Sequence, residues 1–104
     1  MGERAFKRIP ANIEVIFFSG TQEYYGTVTN LSEKGMFINT EVNFPLQQRL
    51  KVLMPWQADT LWLHARVRSF GTSGNIYNGI GVELVSPSLR YLEFIGDLRT
   101  DKRF

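Results

Sequence analysis

The sequence predicts a mainly β fold, a small antiparallel β-barrel of five or six strands followed by one C-terminal α-helix. Short runs rich in β-branched and aromatic residues recur along the chain, with turn signals roughly every ten residues between them. One apolar stripe at helical spacing follows the last run. Short strands joined by tight turns and covered by a single helix are typical of a small closed sheet.

Two runs near the N-terminus predict the first pair of strands. Residues 11–18 begin with alternating apolar and polar positions, and residues 22–30 carry aromatic and β-branched residues suited to a return strand. The connection between them contains Gly20, which is typical of a tight turn. Ile13, Val15 and Phe17 alternate with polar residues, but Ile16 and Phe18 break the alternation, so we expect both faces to be partly covered toward the end of this strand.

Two further runs predict the middle of the sheet. Residues 35–39 read as the strand after the first loop. Residues 48–54 alternate again, and we expect Pro55 to end that strand because proline lacks the amide donor of a central strand. In this run Leu50, Val52 and Met54 alternate with Arg49, Lys51 and Leu53.

The clearest alternation lies in residues 60–70, where one face is apolar and the other is amphipathic. Residues 76–85 form the last predicted strand, and Gly79 and Gly81 within it indicate a bulge or a close approach of two backbones. The apolar face of residues 60–70 is predicted to hold Leu61, Leu63, Ala65 and Val67.

A helix is predicted after the last strand. Ser86 is a suitable N-cap, and Pro87 suits the first helical position, where an amide hydrogen is not needed. Apolar residues then recur three residues apart and form a stripe that would pack on the sheet. The stripe consists of Leu89, Leu92, Ile95 and Leu98.

Length and composition describe one folded domain. A chain of 104 residues with 43% hydrophobic residues is large enough for a core and too apolar for disorder. It has no cysteine, which excludes disulfides and thiolate metal sites. No apolar run approaches the ~18 residues of a membrane helix, and no secretory signal is present. We therefore expect a soluble cytoplasmic protein with no membrane partner.

Positive charge is concentrated at the two ends of the chain. Residues 1–8 hold Arg4, Lys7 and Arg8 against one glutamate, and residues 99–104 hold three cations against one aspartate. Such segments bind phosphate-bearing ligands, nucleic acid or acidic proteins. For residues 99–104 we favour the simpler explanation of a solvated terminus. We predict a flexible basic arm over residues 1–10 and a barrel domain with its terminal helix over residues 11–104.

The side chains indicate a binding module and not an enzyme. The single histidine, His64, stands in a predicted strand, where no motif places a nucleophile beside it. Carboxylates are scattered singly, so no acid–base pair is indicated. The sequence shows neither a cluster of metal ligands nor a glycine-rich phosphate loop. We expect no catalytic residue, no metal and no cofactor.

The loop between the second and third predicted strands is the first candidate binding site. Asn30 and Ser32 are two residues apart, so in an extended chain both side chains leave the same side of the backbone. Gly35 closes the turn, and without a Cβ it lets another molecule approach the backbone. Ordinary hairpin turns use the same three residue types. The loop alone therefore leaves both interpretations open.

Arg4 and Arg8 in the basic arm form the second candidate. They are four residues apart, which places them on the same side of either a strand or a helix. Guanidinium groups fit phosphate oxygens and the O6/N7 edge of guanine, so a small ligand carrying both would use the pair well. A disordered basic tail is the competing explanation.

The two candidates together resemble the PilZ domain. That family carries an RxxxR motif in an N-terminal arm and a [D/N]xSxxG motif on an early strand and turn. The chain has RAFKR at residues 4–8 and NLSEKG at residues 30–35. Residues 79–84, GIGVEL, look like the family's last strand, and the predicted helix follows. The order and separation of the motifs match over nearly the whole chain.

The resemblance implies a six-stranded antiparallel β-barrel with a C-terminal α-helix that binds the bacterial second messenger cyclic di-GMP. It implies that Arg4 and Arg8 contact the phosphates and guanine edges. It also implies that Asn30 and Ser32 contact a guanine base, while Gly35 shapes the turn. The expected function is a receptor that changes conformation on binding cyclic di-GMP and relays the signal to a downstream protein partner.

Two other classes of function stay open. A PilZ-like adaptor would bind only protein, and the presence of both motifs counts against it. A nucleic-acid-binding barrel is suggested by an isoelectric point near 9.2 and by exposed aromatic residues, although we consider nucleic acid the weaker candidate. Oligonucleotide binding should fall steeply with salt, whereas messenger binding should be saturable and specific.

Overall fold

The computed structural model describes residues 7–100. Alternating apolar residues and the turns between them produce six strands in this range, and the apolar stripe after them produces one helix. The strands are β1 (Ile9–Ser19), β2 (Gln22–Leu31), β3 (Gly35–Asn39), β4 (Arg49–Trp56), β5 (Asp59–Ser73) and β6 (Ile76–Leu84), and the helix is α1 (Leu89–Thr100).

The six strands form a closed antiparallel barrel in the order β1-β2-β3-β6-β5-β4. The barrel closes where β1 pairs with β4, with Phe17 opposite Val52. Each neighbouring pair runs antiparallel. Because the ring is closed, each of the six described strands has a neighbour on both sides and none is an edge strand. The predicted mainly β class, with six antiparallel strands and a C-terminal helix, is confirmed.

The core fills the inside of the barrel, and strand alternation decides which side chains enter it. On β5 the four residues predicted to face inward are 0–4% exposed, whereas Trp62 between them is 58% exposed. On β1 and β4 the alternating apolar residues Phe17, Val52 and Met54 are fully buried. Period-two patterns therefore identified the inner face of these strands correctly.

Pro55 does not end β4 as expected. It pairs with Thr60, and the strand continues to Trp56, which pairs with Asp59. The tight turn to β5 follows directly, so Pro55 lies at the end of the β4–β5 ladder and not within its centre. A missing amide donor is tolerated at such a position.

The helix begins later than predicted. Ser88 Oγ accepts a hydrogen bond from the Tyr91 amide at 3.1 Å, so Ser88 and not Ser86 is the N-cap of α1. Ser86 has a φ of +51°, which belongs to the connection that turns the chain from β6 into the helix. The predicted positions of Ser86 and Pro87 in the helix are therefore wrong, because a second serine two residues later provides the cap.

The buried face of α1 contains only half of the predicted apolar stripe. Ile95 is buried and Leu98 packs against the core, as predicted, but Leu89 and Leu92 are 79% and 37% exposed. The other buried positions of the helix are Tyr91 and Phe94. The Phe94 ring lies 5.6 Å from the Trp56 ring, so the aromatic residues dock α1 near the end of β4. Within the described residues, α1 is too short and too polar to cross a membrane, and no other helix occurs there.

Candidate ligand-binding site

The loop between β2 and β3 is folded by its own hydrogen bonds. The Ser32 amide donates to the Gly35 carbonyl at 2.8 Å, and the Lys34 amide donates to Ser32 Oγ at 3.2 Å. The Leu84 amide at the end of β6 donates to the Lys34 carbonyl at 2.8 Å. The loop is therefore a tight turn whose outer end is fixed to a neighbouring strand.

A buried tyrosine of α1 holds the loop from the inside. The Tyr91 hydroxyl donates to the Ser32 carbonyl at 2.7 Å, and the Tyr91 side chain is completely buried. Burial raises the pKa of the Tyr91 hydroxyl well above its usual value, with the nearby Glu33 charge acting in the same direction. Tyr91 therefore stays neutral and serves as a donor. Sequence analysis missed it because it treated the helix stripe as aliphatic.

Gly35 is required by close packing between strands. It is buried in β3 and pairs with Glu83 of β6. A Cβ at Gly35 would lie 2.4 Å from the Val82 carbonyl oxygen, a distance that real side chains do not tolerate. Its φ is not positive, so the need for glycine comes from the approach of β6 and not from a left-handed backbone.

The arm meets the loop at Asn30. Ile9 and Pro10 pair with Leu31 and Asn30, so strand pairing extends into the range predicted as the arm. Arg8 Nη1 then donates to Asn30 Oδ1 at 2.9 Å. The structure thus brings together one residue of each predicted motif, although 22 positions separate them in sequence. Arg4 lies outside the described residues, and the flexibility of the arm stays a prediction.

Asn30 and Ser32 have different surroundings. Asn30 is half-buried and reaches Arg8, whereas Ser32 is only 4% exposed and its hydroxyl accepts from the Lys34 amide. Ser32 lies just beyond the end of β2, in the turn, so the extended geometry that would align the two side chains does not continue to it. Asn30 is the more accessible of the two.

An aromatic ring lies beside Asn30 on the neighbouring strand. Phe37 pairs directly with Asn30 and is half-buried. Its ring lies against the backbone of two glycines: a Cβ at Gly71 would be 2.4 Å from Phe37 Cζ, and one at Gly79 would be 2.9 Å from the same atom. A Cβ at Gly79 would also lie 2.3 Å from the Ile38 carbonyl oxygen, so the predicted close approach of two backbones is present at Gly79.

Arg99, in the last turn of α1, joins the loop to the arm. Its Nε and Nη2 donate to the two carboxylate oxygens of Glu33 at 2.9 and 2.7 Å, and Nη2 also donates to the Lys7 carbonyl at 2.7 Å. The Arg99 hydrogen bonds hold the pKa of the Glu33 carboxyl below its usual value. The expectation that this cation belongs to a solvated terminus is wrong. Sequence spacing gave no signal for a contact across 66 positions.

His64 lies on the outer face of β5 and pairs with Lys51 of β4. Within residues 7–100, no three side chains of the histidine, cysteine, aspartate or glutamate type are grouped so that they could hold a metal ion. The polar groups that converge around the β2–β3 loop are instead guanidinium, amide and hydroxyl groups together with the single carboxylate of Glu33.

Comparison with known proteins agrees with this architecture. The family model described as the PilZ domain matches residues 3–98. A search of curated proteins by sequence finds no match. The inhibitor of motility MotI/DgrA of Bacillus subtilis superposes with a TM-score of 0.76 at 16% identity, over 100% of this chain and 55% of the other.

Two other solved structures share the fold. Escherichia coli YcgR in complex with c-di-GMP has a TM-score of 0.71 at 15% identity, over 92% of this chain and 44% of YcgR. The K. pneumonia MrkH–c-di-GMP complex has a TM-score of 0.68 at 10% identity, over 98% of this chain and 56% of MrkH. The chain thus spans about half the length of these proteins. Because the family model covers nearly all of the sequence, the chain belongs to the PilZ domain family.

Proposed function

We propose that this chain is a cyclic di-GMP receptor domain that grips its ligand between the N-terminal arm and the β2–β3 loop. The observation that carries the proposal is the hydrogen bond between Arg8 Nη1 and Asn30 Oδ1. It places a guanidinium from one family motif against the amide of the other. The proposed ligand-binding residues are Arg4, Arg8, Asn30 and Ser32, with Gly35 shaping the turn.

The chemistry of this pair suits a guanine dinucleotide. Arg8 is exposed, and its guanidinium carries five donors, of which the contact with Asn30 uses one. The other donors fit phosphate oxygens or the O6/N7 edge of guanine. The Asn30 amide adds a donor and an acceptor for a base edge. The half-buried Phe37 ring beside it offers an apolar face of the kind on which purines stack.

The local charge favours a dianionic ligand. Lys7, Arg8 and Lys34 contribute positive charge around the loop. The carboxylate of Glu33 is paired with Arg99 and therefore repels an anion less than a lone carboxylate would. Phosphate groups would be attracted to this end of the barrel, and the attraction should weaken as salt is added.

The proposed output is a change of shape without a chemical reaction. The YcgR and MrkH structures contain c-di-GMP, which supports a receptor role for this chain as well. We propose that residues 1–10 rearrange when the ligand binds and that the altered surface recruits a downstream protein partner in the bacterial cytoplasm. Neither a catalytic residue nor a cofactor takes part in this mechanism.

Calorimetric titration with cyclic di-GMP tests the proposal. We expect saturable binding with a dissociation constant in the micromolar range for the wild type. Arg8→Ala should weaken binding by about 10- to 100-fold, because charge-assisted hydrogen bonds contribute about 1.5–3 kcal/mol. Asn30→Ala should also weaken binding. The melting temperatures of both variants should lie within about 3 °C of the wild-type value.

The matched control is Arg90→Ala. Arg90 is an exposed arginine of α1 that pairs with Asp59, in an ion pair that involves no residue of the β2–β3 loop or of the described part of the arm. Its removal should leave the affinity unchanged. Undiminished affinity in Arg8→Ala would reject the proposed site. If an oligonucleotide displaces the messenger while GMP does not, and its binding falls steeply with salt, the nucleic-acid-binding barrel is the better explanation.

A further inference from the structure

Arg99 touches both halves of the proposed site without belonging to either motif. We propose that Arg99 is a positioning residue that holds the arm and the loop in their binding arrangement before the messenger arrives. The inference rests on the proposed function, because it assigns Arg99 a role in cyclic di-GMP binding. The contact between Arg99 and the arm can also be tested in the ligand-free protein.

The geometry connects one guanidinium to three acceptors. Two are the carboxylate oxygens of Glu33, which directly follows Ser32 in the loop. The third is the carbonyl of Lys7, which belongs to the peptide bond between Lys7 and Arg8. Arg99 therefore holds the backbone immediately before Arg8 and the backbone immediately after Ser32.

Packing of α1 against the barrel fixes the position of Arg99. Ile95 is completely buried and Leu98 packs against the core, so the last turn of α1 cannot shift freely relative to the barrel. The Arg99 and Glu33 side chains are 31% and 27% exposed. The pair is thus partly shielded from water, and the two-pronged geometry is the favourable one for arginine and carboxylate.

Holding the arm in advance should increase affinity. Without Arg99, binding would have to order the backbone around Lys7 and Arg8 at the moment the ligand is captured, and that entropy cost would reduce the observed affinity. Lysine at this position has no planar fork, so it could contact one acceptor but not all three. We therefore expect Arg99→Gln to lose the effect and Arg99→Lys to restore only part of it.

The test uses two measurements on the full chain. The first is the calorimetric affinity for cyclic di-GMP, which should fall about three- to tenfold in Arg99→Gln and less in Arg99→Lys. The second is limited trypsin digestion without ligand, followed by mass spectrometry of the fragment that begins at Arg8. Because Arg99 holds the carbonyl of the bond that trypsin attacks, cleavage there should be at least about threefold faster in Arg99→Gln.

Arg90→Gln is the matched control. It removes a more exposed ion pair from the same helix, between Arg90 and Asp59 at 3.0 Å, and should change neither measurement. Wild-type affinity together with wild-type cleavage in Arg99→Gln would overturn the proposal. Weaker binding with unchanged cleavage would overturn it too, since Arg99 would then act without holding the arm.

The two proposals fail in different ways. If even the wild type does not bind the messenger, but Arg99→Gln speeds cleavage at the bond between Lys7 and Arg8, the proposed function is wrong and the positioning of the arm stands. If the wild type binds and Arg99→Gln matches it in both measurements, the function stands and the positioning role is wrong.

Discussion

The hydrogen bond between Tyr91 and the Ser32 carbonyl gives the sharpest prediction about stability. Tyr91→Phe removes one oxygen atom from a completely buried side chain and leaves its ring in place. The ring still packs against Phe94, 6.0 Å away between centroids. The change therefore isolates the contribution of one donor at the centre of the loop.

The expected loss of stability in Tyr91→Phe comes from the carbonyl group that the substitution leaves without its donor. The Ser32 carbonyl loses its donor from Tyr91 in a region where Ser32 itself is only 4% exposed. A buried polar group left without its partner costs about 1–3 kcal/mol. In a domain of this size each kcal/mol lowers the melting temperature by about 4–8 °C, so we expect a fall of about 5–20 °C.

The pH dependence supplies a second signature of the same bond. Burial raises the pKa of Tyr91 in the folded state, whereas an unfolded tyrosine ionises near pH 10, at about its reference value. Above that pH the unfolded state holds fewer protons than the folded state, so stability falls as pH rises. Tyr91→Phe removes this contribution and should show a shallower loss of stability between pH 9 and about pH 11.

Urea unfolding followed by tryptophan fluorescence measures both effects. Tyr25→Phe is the control, because Tyr25 is 67% exposed and its hydroxyl donates to the exposed Glu23 side chain. At pH 7 this substitution should change the free energy of unfolding by less than about 0.5 kcal/mol. If Tyr91→Phe is as stable as Tyr25→Phe, the hydroxyl does not hold the loop and the reasoning is refuted.

Two further predictions concern glycine and acid. Gly35→Ala should destabilise the fold strongly, because the new Cβ would collide with the Val82 carbonyl oxygen. A Cβ at Gly96 meets open space, so Gly96→Ala should raise the free energy of unfolding by about 0.5–1 kcal/mol through the higher helix propensity of alanine. If both glycine variants melt at the wild-type temperature, both of these expectations are contradicted. Arg99 lowers the pKa of Glu33 in the folded state below the value of about 4.3 in the unfolded state. The ionised carboxylate therefore stabilises the fold above about pH 4.3, and this stabilisation is lost as the pH falls below that value. Urea unfolding from pH 7 to pH 3 should therefore show a smaller acid loss in Arg99→Gln, and an unchanged loss would count against the ion pair.

Strand faces were predictable from sequence because alternation is a local property of the chain. In residues 60–70 the apolar residues at odd positions were enough to identify the core face of β5. Helical spacing was only half right for α1: Ile95 and Leu98 of the predicted stripe lie on the buried face, whereas Leu89 and Leu92 do not. The face that docks carries Tyr91 and Phe94, since the larger aromatic surfaces determine which side is buried.

The site was predictable only in part. The motifs predicted Arg8 and Asn30 as binding residues, and the structure shows a hydrogen bond between these two side chains across the β1–β2 pair. Nothing in the sequence indicated a role for Arg99, because its contact with Glu33 depends on how α1 packs against the barrel. No local pattern encodes a contact of this separation.

The most direct test of the proposed site observes Asn30 itself. In ¹⁵N-labelled protein, titration with cyclic di-GMP should move the side-chain amide resonances of Asn30 and the guanidinium resonance of Arg8 in a saturable way. The Arg8→Ala variant should reduce the Asn30 shift at the same ligand concentration. If saturating messenger leaves Asn30 unmoved while resonances of the exposed Trp62 shift instead, the ligand binds elsewhere on the barrel and the account is contradicted.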